Sequence, residues 1–445
     1  MENLLPRGTG DDSDPNLGFP HFLEGVDPEA KCLDGSPALY YHRAGWGSGV
    51  NSWLLFHEGN GFCGDLDGCF NRAGSWAGSS KAESEKSRYN MTAQSFMFSL
   101  DSQMNPLLYN WNHVFLRYCD GGYMSGHREG EVPVSSNTQG LGPKSVKHMY
   151  FRGRVITDAG IVDLVRSRGM EAADRVVIAG CSSGAIRTFS HADYLVEKIK
   201  SEMRSFRLLE GKLNCSDDEE ADFPPTHFAI FPDSGFYIDT DLYRNPKQFL
   251  VSPKGHNATA LLNKRCVDAQ PKDRGPETCL IGSVVAEHLD TPWFSSQSRF
   301  DWDQLDCEIT DECAKDPICV NEYGGTVTKT MHDRLLTRPV RSHGALLDSC
   351  DRHCGNDPHS LPVGERTGKT VLQLFADWWT LNFDAKNSES RGGNIDGSGT
   401  EKVIFDSQES QKYPCDDCCA WRSSASTTDS EAPKPEKANY QTVLI

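Results

Sequence analysis

Long apolar runs, a basic charge balance and zinc-type cysteine spacing are all missing from this sequence of 445 residues. Each absence removes a class of function. No stretch of about 18 or more uncharged apolar residues occurs, which excludes a transmembrane helix. Lys and Arg number 45 against 63 Asp and Glu, a formal net charge of −18. A surface of that sign repels phosphate backbones, so no nucleic-acid partner is expected. The 16 cysteines include no paired C-x-x-C…C-x-x-C, so a disulfide framework is the better reading and no metal centre is expected. A signal peptide is missing too: the chain opens MENLLPRGTGDDSDP, without a positive n-region or an apolar h-region. That conflicts with the secretory route suggested by the cysteines and by the Asn-x-Ser/Thr sequons at Asn90, Asn214 and Asn257.

What is present reads as one α/β domain between two loose ends. Apolar residues make up 37%, enough for a sizeable core, while 40 Gly and 23 Pro imply many turns. Residues 1–25, acidic and rich in Pro and Gly, read as a loose leader. Four short apolar runs read as buried strands: Trp53 to His57, His113 to Tyr118, Arg175 to Ala179 and Thr226 to Phe231. Helical spacing links them, with Val155, Ile156, Ile161, Val162, Leu164 and Val165 on one stripe and a second stretch from Ala185 to about Met203. Strands alternating with helices predict a mostly parallel sheet covered on both faces. Residues 250–340 loosen into Cys-bearing segments, expected to form an insertion or cap, and Asp217 to Glu220 reads as a solvated acidic loop. A last helix is predicted from Val371 to Leu381. Residues 387–445 read as a largely disordered tail, interrupted by Cys415-Asp416-Asp417-Cys418-Cys419. A chain ending near Asn387 is therefore expected to keep full activity and thermal stability.

The sharpest chemical feature is Gly180-Cys181-Ser182-Ser183-Gly184, directly after a strand and before a helix. That context suits a nucleophile elbow. The flanking glycines let the backbone turn sharply, lifting the Ser182 side chain off the sheet at the helix N-terminus. An ordinary Gly/Ser strand–helix turn has the same composition, but the strand–motif–helix order favours the nucleophile. Cys181 would point away from the site, buried or paired. A serine nucleophile needs a histidine base and an orienting acid later in the chain. Spacing does not select among the histidines that follow; His343 and His353 both suit a loop after a late strand.

Several motifs, in order, carry a resemblance to a known family. Phe56-His57-Glu58-Gly59-Asn60-Gly61-Phe62-Cys63 looks like L-E-G-G-G-W-C, and Asn110-Trp111-Asn112 through Arg117-Tyr118-Cys119-Asp120-Gly121 looks like N-W-N…R-Y-C-D-G. Tyr150-Phe151-Arg152-Gly153 is similar to an F-R-G segment, Gly180 to Ala185 to G-C-S-A-G-G, Asp233 to Phe236 to D-[AS]-G-[FW], and Ser349 to Cys354 to S-C-x-x-H-C. From about residue 50 to 380 the chain resembles the pectin acetylesterase family, which includes the Notum carboxylesterases.

The resemblance implies an α/β-hydrolase-like domain over residues 26–386 and a Ser182, Asp301, His353 triad. Asp233 is the rival acid and Asp303 a third candidate; by resemblance Asp233 is structural. The oxyanion hole would combine the backbone N–H groups of Asn60, Gly61 and Ser183. Here the sequence departs from the family pattern: Asn60 replaces a Gly, Phe62 another aromatic, and Ser183 and Ala185 stand for Ala and Gly. Asn accepts positive φ better than most residues, so the loop is expected to form with Asn in place of Gly. The implied protein is a secreted, monomeric serine carboxylic ester hydrolase without cofactor, removing O-acyl groups, acetyl first, from a polysaccharide such as pectin. A Notum-like deacylase of longer chains and a catalytically silent secreted binding relative are the alternatives.

Overall fold

The computed structural model describes residues 14–83, 88–134, 146–211, 226–336, 343–355, 364, 367–384, 404–407 and 412–414. Asn214, the acidic run at 217–220 and the Cys415–Cys419 cluster lie outside the described residues. Twelve strands are named in chain order: β1 (Leu17–Phe22), β2 (Leu39–Arg43), β3 (Ser52–His57), β4 (Tyr89–Asn90), β5 (Asn112–Leu116), β6 (Val132–Pro133), β7 (His148–Met149), β8 (Arg175–Cys181), β9 (His227–Asp233), β10 (Phe294–Ser298), β11 (Gly344–Asp348) and β12 (Ile404–Ser407). All but β6 and β7, which pair with each other, join one ten-stranded sheet in the order β12-β11-β10-β9-β8-β3-β5-β2-β1-β4. From β12 to β5 every neighbouring pair is parallel; β2, β1 and β4 extend that edge antiparallel.

The strands alternate between two cores, as the two-residue period of a pleat requires. Trp53, Leu55, Val176, Ile178, Phe228 and Ile230 face one cluster, and Leu54, Phe56, Val177, Ala179, Ala229 and Phe231 face the other. Helix α1 (Gly153–Ser167) covers the first face with Ile156, Ile161 and Leu164. Helix α2 (Ser183–Ser190) and α3 (Ala192–Leu209) follow β8, parted at His191 where one uninterrupted helix was predicted. Helix α4 (Trp302–Glu308) and α5 (Pro317–Leu336) lie between β10 and β11. Helix α6 (Val371–Phe383) lays Phe375, Trp378 and Trp379 on the second face.

Three predicted boundaries change. The leader is shorter than 1–25, because Leu17–Phe22 is a strand whose Phe19, Pro20, His21 and Phe22 pair with β2. Residues 250–340 are not only an insertion: β10 within them lies between β9 and β11. The tail contributes β12, which pairs with β11 from Gly344↔Ile404 to Leu347↔Ser407, and Tyr413, whose N–H and C=O bond the Asn321 side chain at 3.0 and 2.9 Å.

Disulfides join Cys32–Cys119, Cys63–Cys69, Cys181–Cys354, Cys266–Cys279 and Cys313–Cys319, and Cys350 is also disulfide-bonded. Cys307 is a free thiol. Among the described residues, no helix is long and apolar enough to cross a membrane. Asn257, in one of the sequons, has φ of 56° and its Nδ2 donates to the His127 carbonyl at 3.0 Å.

Candidate active site

Ser182 sits between β8 and α2 with φ 55° and ψ −127°, a conformation that a residue with a Cβ adopts only under strain. Such strain costs about 1–3 kcal/mol and persists where the surroundings fix it. They do here. A Cβ on Gly180 would lie 2.5 Å from the Gly184 backbone, and one on Gly184 would lie 2.2 Å from the His57 carbonyl. Only glycines let β8, α2 and the end of β3 close this tightly, which is the physical content of the G-x-S-x-G spacing. The Ser182 N–H donates to the Asp233 carbonyl at 3.2 Å, and its own carbonyl accepts from Ile186 at 2.8 Å to start the helix.

Asp301 and His353 arrive on the loops after β10 and β11. Asp301 is fully buried and caps α4, its Oδ1 accepting from the N–H groups of Asp303 and Gln304 at 3.0 and 3.3 Å. The same carboxylate meets His353 Nδ1 at 2.8 and 2.9 Å. His353 Nε2 is buried and without a hydrogen-bond partner. Burial alone would depress this imidazole, but the Asp301 charge and hydrogen bond outweigh it and hold the His353 pKa above its ordinary value. The His353 loop is tied to the elbow covalently: Cys181, before Ser182, is bonded to Cys354, after His353, with the Cα atoms 5.7 Å apart. Cys181 is thus one of the paired cysteines, and its bond, between cysteines 173 residues apart in the chain, brings nucleophile and base candidates to one place.

The remaining acid and base candidates are engaged elsewhere. Asp233 accepts from Arg352 Nη1 at 3.1 Å and from the Gly355 N–H at 3.0 Å. Arg352 also donates to Asp348 Oδ2 from Nε and Nη2 at 3.0 and 2.6 Å, and to Ser296 Oγ at 2.8 Å. Asp233 therefore anchors the loop that carries His353. Asp303 accepts from the Tyr237 hydroxyl at 2.6 Å. His343 is stacked on Trp293, ring centroids 4.6 Å apart, and its Nδ1 accepts the Trp293 N–H at 3.3 Å. Arg352 went unnoticed in the sequence, although it adjoins His353. So did Trp302, half exposed and 5.1 Å edge-on from the His353 ring. Their signal was position alone.

The loop after β3 reaches the elbow: a Cβ on Gly59 would lie 2.8 Å from Ser182 Cβ. Gly61 has φ of 54°, with open space where a Cβ would stand. Asn60 is not among the residues with positive φ, so the expected backbone reason for Asn does not apply. The predicted use of its N–H also needs correction. That N–H donates to Ser183 Oγ at 2.7 Å, a bond that an alanine at 183 could not accept. The Asn60 carbonyl accepts from Arg72 Nη2 at 2.5 Å, and the Gly61 carbonyl from the Tyr118 hydroxyl at 2.8 Å. Among the described residues one set of potential metal ligands converges, Cys63, Cys69 and His256. Both sulfurs are joined in a disulfide, so no thiolate is offered.

The sequence profile of the pectinacetylesterase family matches residues 20–419. Pectin acetylesterase 4 of Arabidopsis thaliana is 28% identical over 377 residues, covering 79% of this chain and 80% of its own. A palmitoleoyl-protein carboxylesterase NOTUM of Mus musculus is 26% identical over 290 residues, covering 63% of this chain and 50% of its own. The solved structure of the Wnt deacylase Notum from Drosophila superposes with a TM-score of 0.60 at 20% identity, covering 81% of this chain and 93% of that one. That last likeness bears on the fold alone, which is α/β-hydrolase-like.

Proposed function

The chain belongs to the pectinacetylesterase family of carboxylic ester hydrolases, and from that premise we propose that it removes O-acetyl groups from an acidic polysaccharide such as pectin through Ser182, His353 and Asp301. The observation that carries the assignment of roles is the Asp301–His353 pair, joined to the strained Ser182 elbow by the Cys181–Cys354 bond. Asp301 holds the imidazole with Nδ1 protonated, leaving Nε2 as the base. As Ser182 Oγ attacks the ester carbonyl, its proton passes to His353 Nε2 and the carbonyl electrons move to the oxygen. Collapse of that tetrahedral species expels the sugar oxygen, which takes the proton from His353, and Ser182 is left acetylated. Water then repeats the sequence, giving up its proton to His353 and releasing acetate.

A short acyl group is favoured by the likeness to the pectin acetylesterases, whose name gives an acetyl ester as substrate. Phe62 packs on the buried Tyr123 with ring centroids 5.4 Å apart, and Lys247 Nζ lies 5.0 Å over the Phe62 ring and 3.0 Å over that of Tyr243. These contacts fix the Phe62 ring beside the loop that carries Gly61. The disulfides suit an oxidising compartment and support secretion. Acetate release from acetylated pectin, with fluorophosphonate labelling, tests the proposal. Ser182→Ala should lower kcat by about 10⁴-fold or more and abolish labelling. An unlabelled parent protein, or Ser182→Ala with its activity intact, would falsify the assignment.

A further inference from the structure

In this chain the backbone donor at position 60, which an ester hydrolase would direct at the oxyanion, is engaged by Ser183 Oγ at 2.7 Å. The same residue presents a second donor. Asn60 Nδ2 is buried and without a hydrogen-bond partner. It belongs to a residue fixed on both sides, by Arg72 on its carbonyl and by Ser183 on its N–H. The adjoining Gly59 lies so near the nucleophile that its Cβ would meet that of Ser182 at 2.8 Å. An enclosed amide donor with no protein acceptor is costly, and this one belongs to the residue that follows Gly59.

Resting on the esterase reading above, we propose that the Asn60 carboxamide replaces the backbone N–H of residue 60 as an oxyanion donor. The Ser183 N–H at the start of α2 is the partner donor, and the Ser183 side chain is a positioning group that draws the Asn60 N–H aside. The two departures from the family pattern are then one coupled change. A hydroxyl at 183 takes up the main-chain donor, and an amide at 60 supplies its substitute. Ground-state ester carbonyls carry little charge, so the contribution falls on kcat and not on KM.

Steady-state kinetics on p-nitrophenyl acetate, with melting temperatures as a check on folding, test the coupling. Asn60→Gly removes the amide, and Asn60→Asp removes its donors while keeping its shape. Each should lower kcat about 10²-fold with KM within about threefold. Adding Ser183→Ala to Asn60→Gly frees the backbone N–H and should restore at least about tenfold of the loss. A kcat loss below about tenfold in both single variants, or a double variant no faster than Asn60→Gly, overturns the inference while the esterase reading stands. A parent protein that neither hydrolyses the ester nor labels at Ser182 overturns both.

Discussion

An imidazole enclosed in protein ordinarily gives up its proton more readily than one in water, yet His353 holds its proton more tightly because Asp301 faces it. A general base must be neutral to act, so the acid limb of kcat/KM should have its midpoint above the ordinary histidine value of about 6.5. Asp301→Asn removes the charge and leaves the burial, so the limb should move below that value while kcat falls by about 10⁴-fold. A limb that stays in place shows that another group sets it. The sign carries over to stability. Because folding raises this pKa, the pair stabilises the fold below about pH 6.5 and the contribution is lost as pH rises through the folded value. Of these residues, Ser182 was legible from local pattern, since strand, glycines and helix all leave marks in sequence. Asp301 was separated from Asp233 only by resemblance. Asp233 is the last residue of a strand and Asp301 lies three past the end of one, and the difference lies in which one Arg352, 119 residues from Asp233, reaches across to bind.

Elements were legible where burial on both faces wrote a continuous apolar run, as in β3, β5, β8 and β9. The sequence Phe294-Ser295-Ser296-Gln297-Ser298 writes no such run, and β10 was missed although every residue of it is buried. Phe294 packs in the second core, but the polar side chains after it bind instead of packing. Ser296 accepts from Arg352 at 2.8 Å, and Gln297 Oε1 accepts the Phe236 N–H at 3.0 Å. Strand β12 was missed for another reason: four residues within a polar stretch show no period. It changes the expectation for the tail. A chain ending at residue 386 loses the β11–β12 ladder and the paired Asn321–Tyr413 hydrogen bonds. At about 0.5–1.5 kcal/mol each, the two bonds to Asn321 alone put the loss at about 1–3 kcal/mol, and the ladder adds to it. The strand left unpaired leads to His353, so esterase activity should fall with the melting temperature; a shortened chain that melts with the full one would show β12 to be dispensable.

Taken as a whole, the protein carries −18 while the proposed polymer is itself polyanionic. Mutual repulsion should make kcat/KM on acetylated pectin rise with salt up to about 0.1 M, where the screening length is about 10 Å, and leave p-nitrophenyl acetate unaffected. A fall with salt on the polymer would instead point to a local cationic track. The Cys181–Cys354 bond spans 173 residues, a loop whose closure restricts the unfolded chain by about 5 kcal/mol in the polymer estimate. It also imposes an order in time. A ribosome delivers Ser182 long before His353, and Cys181 has no mate until Cys354 follows. On the proposed triad the half-made polypeptide should be chemically mute toward esters, and the finished one should acquire its activity in step with oxidation of that single pair.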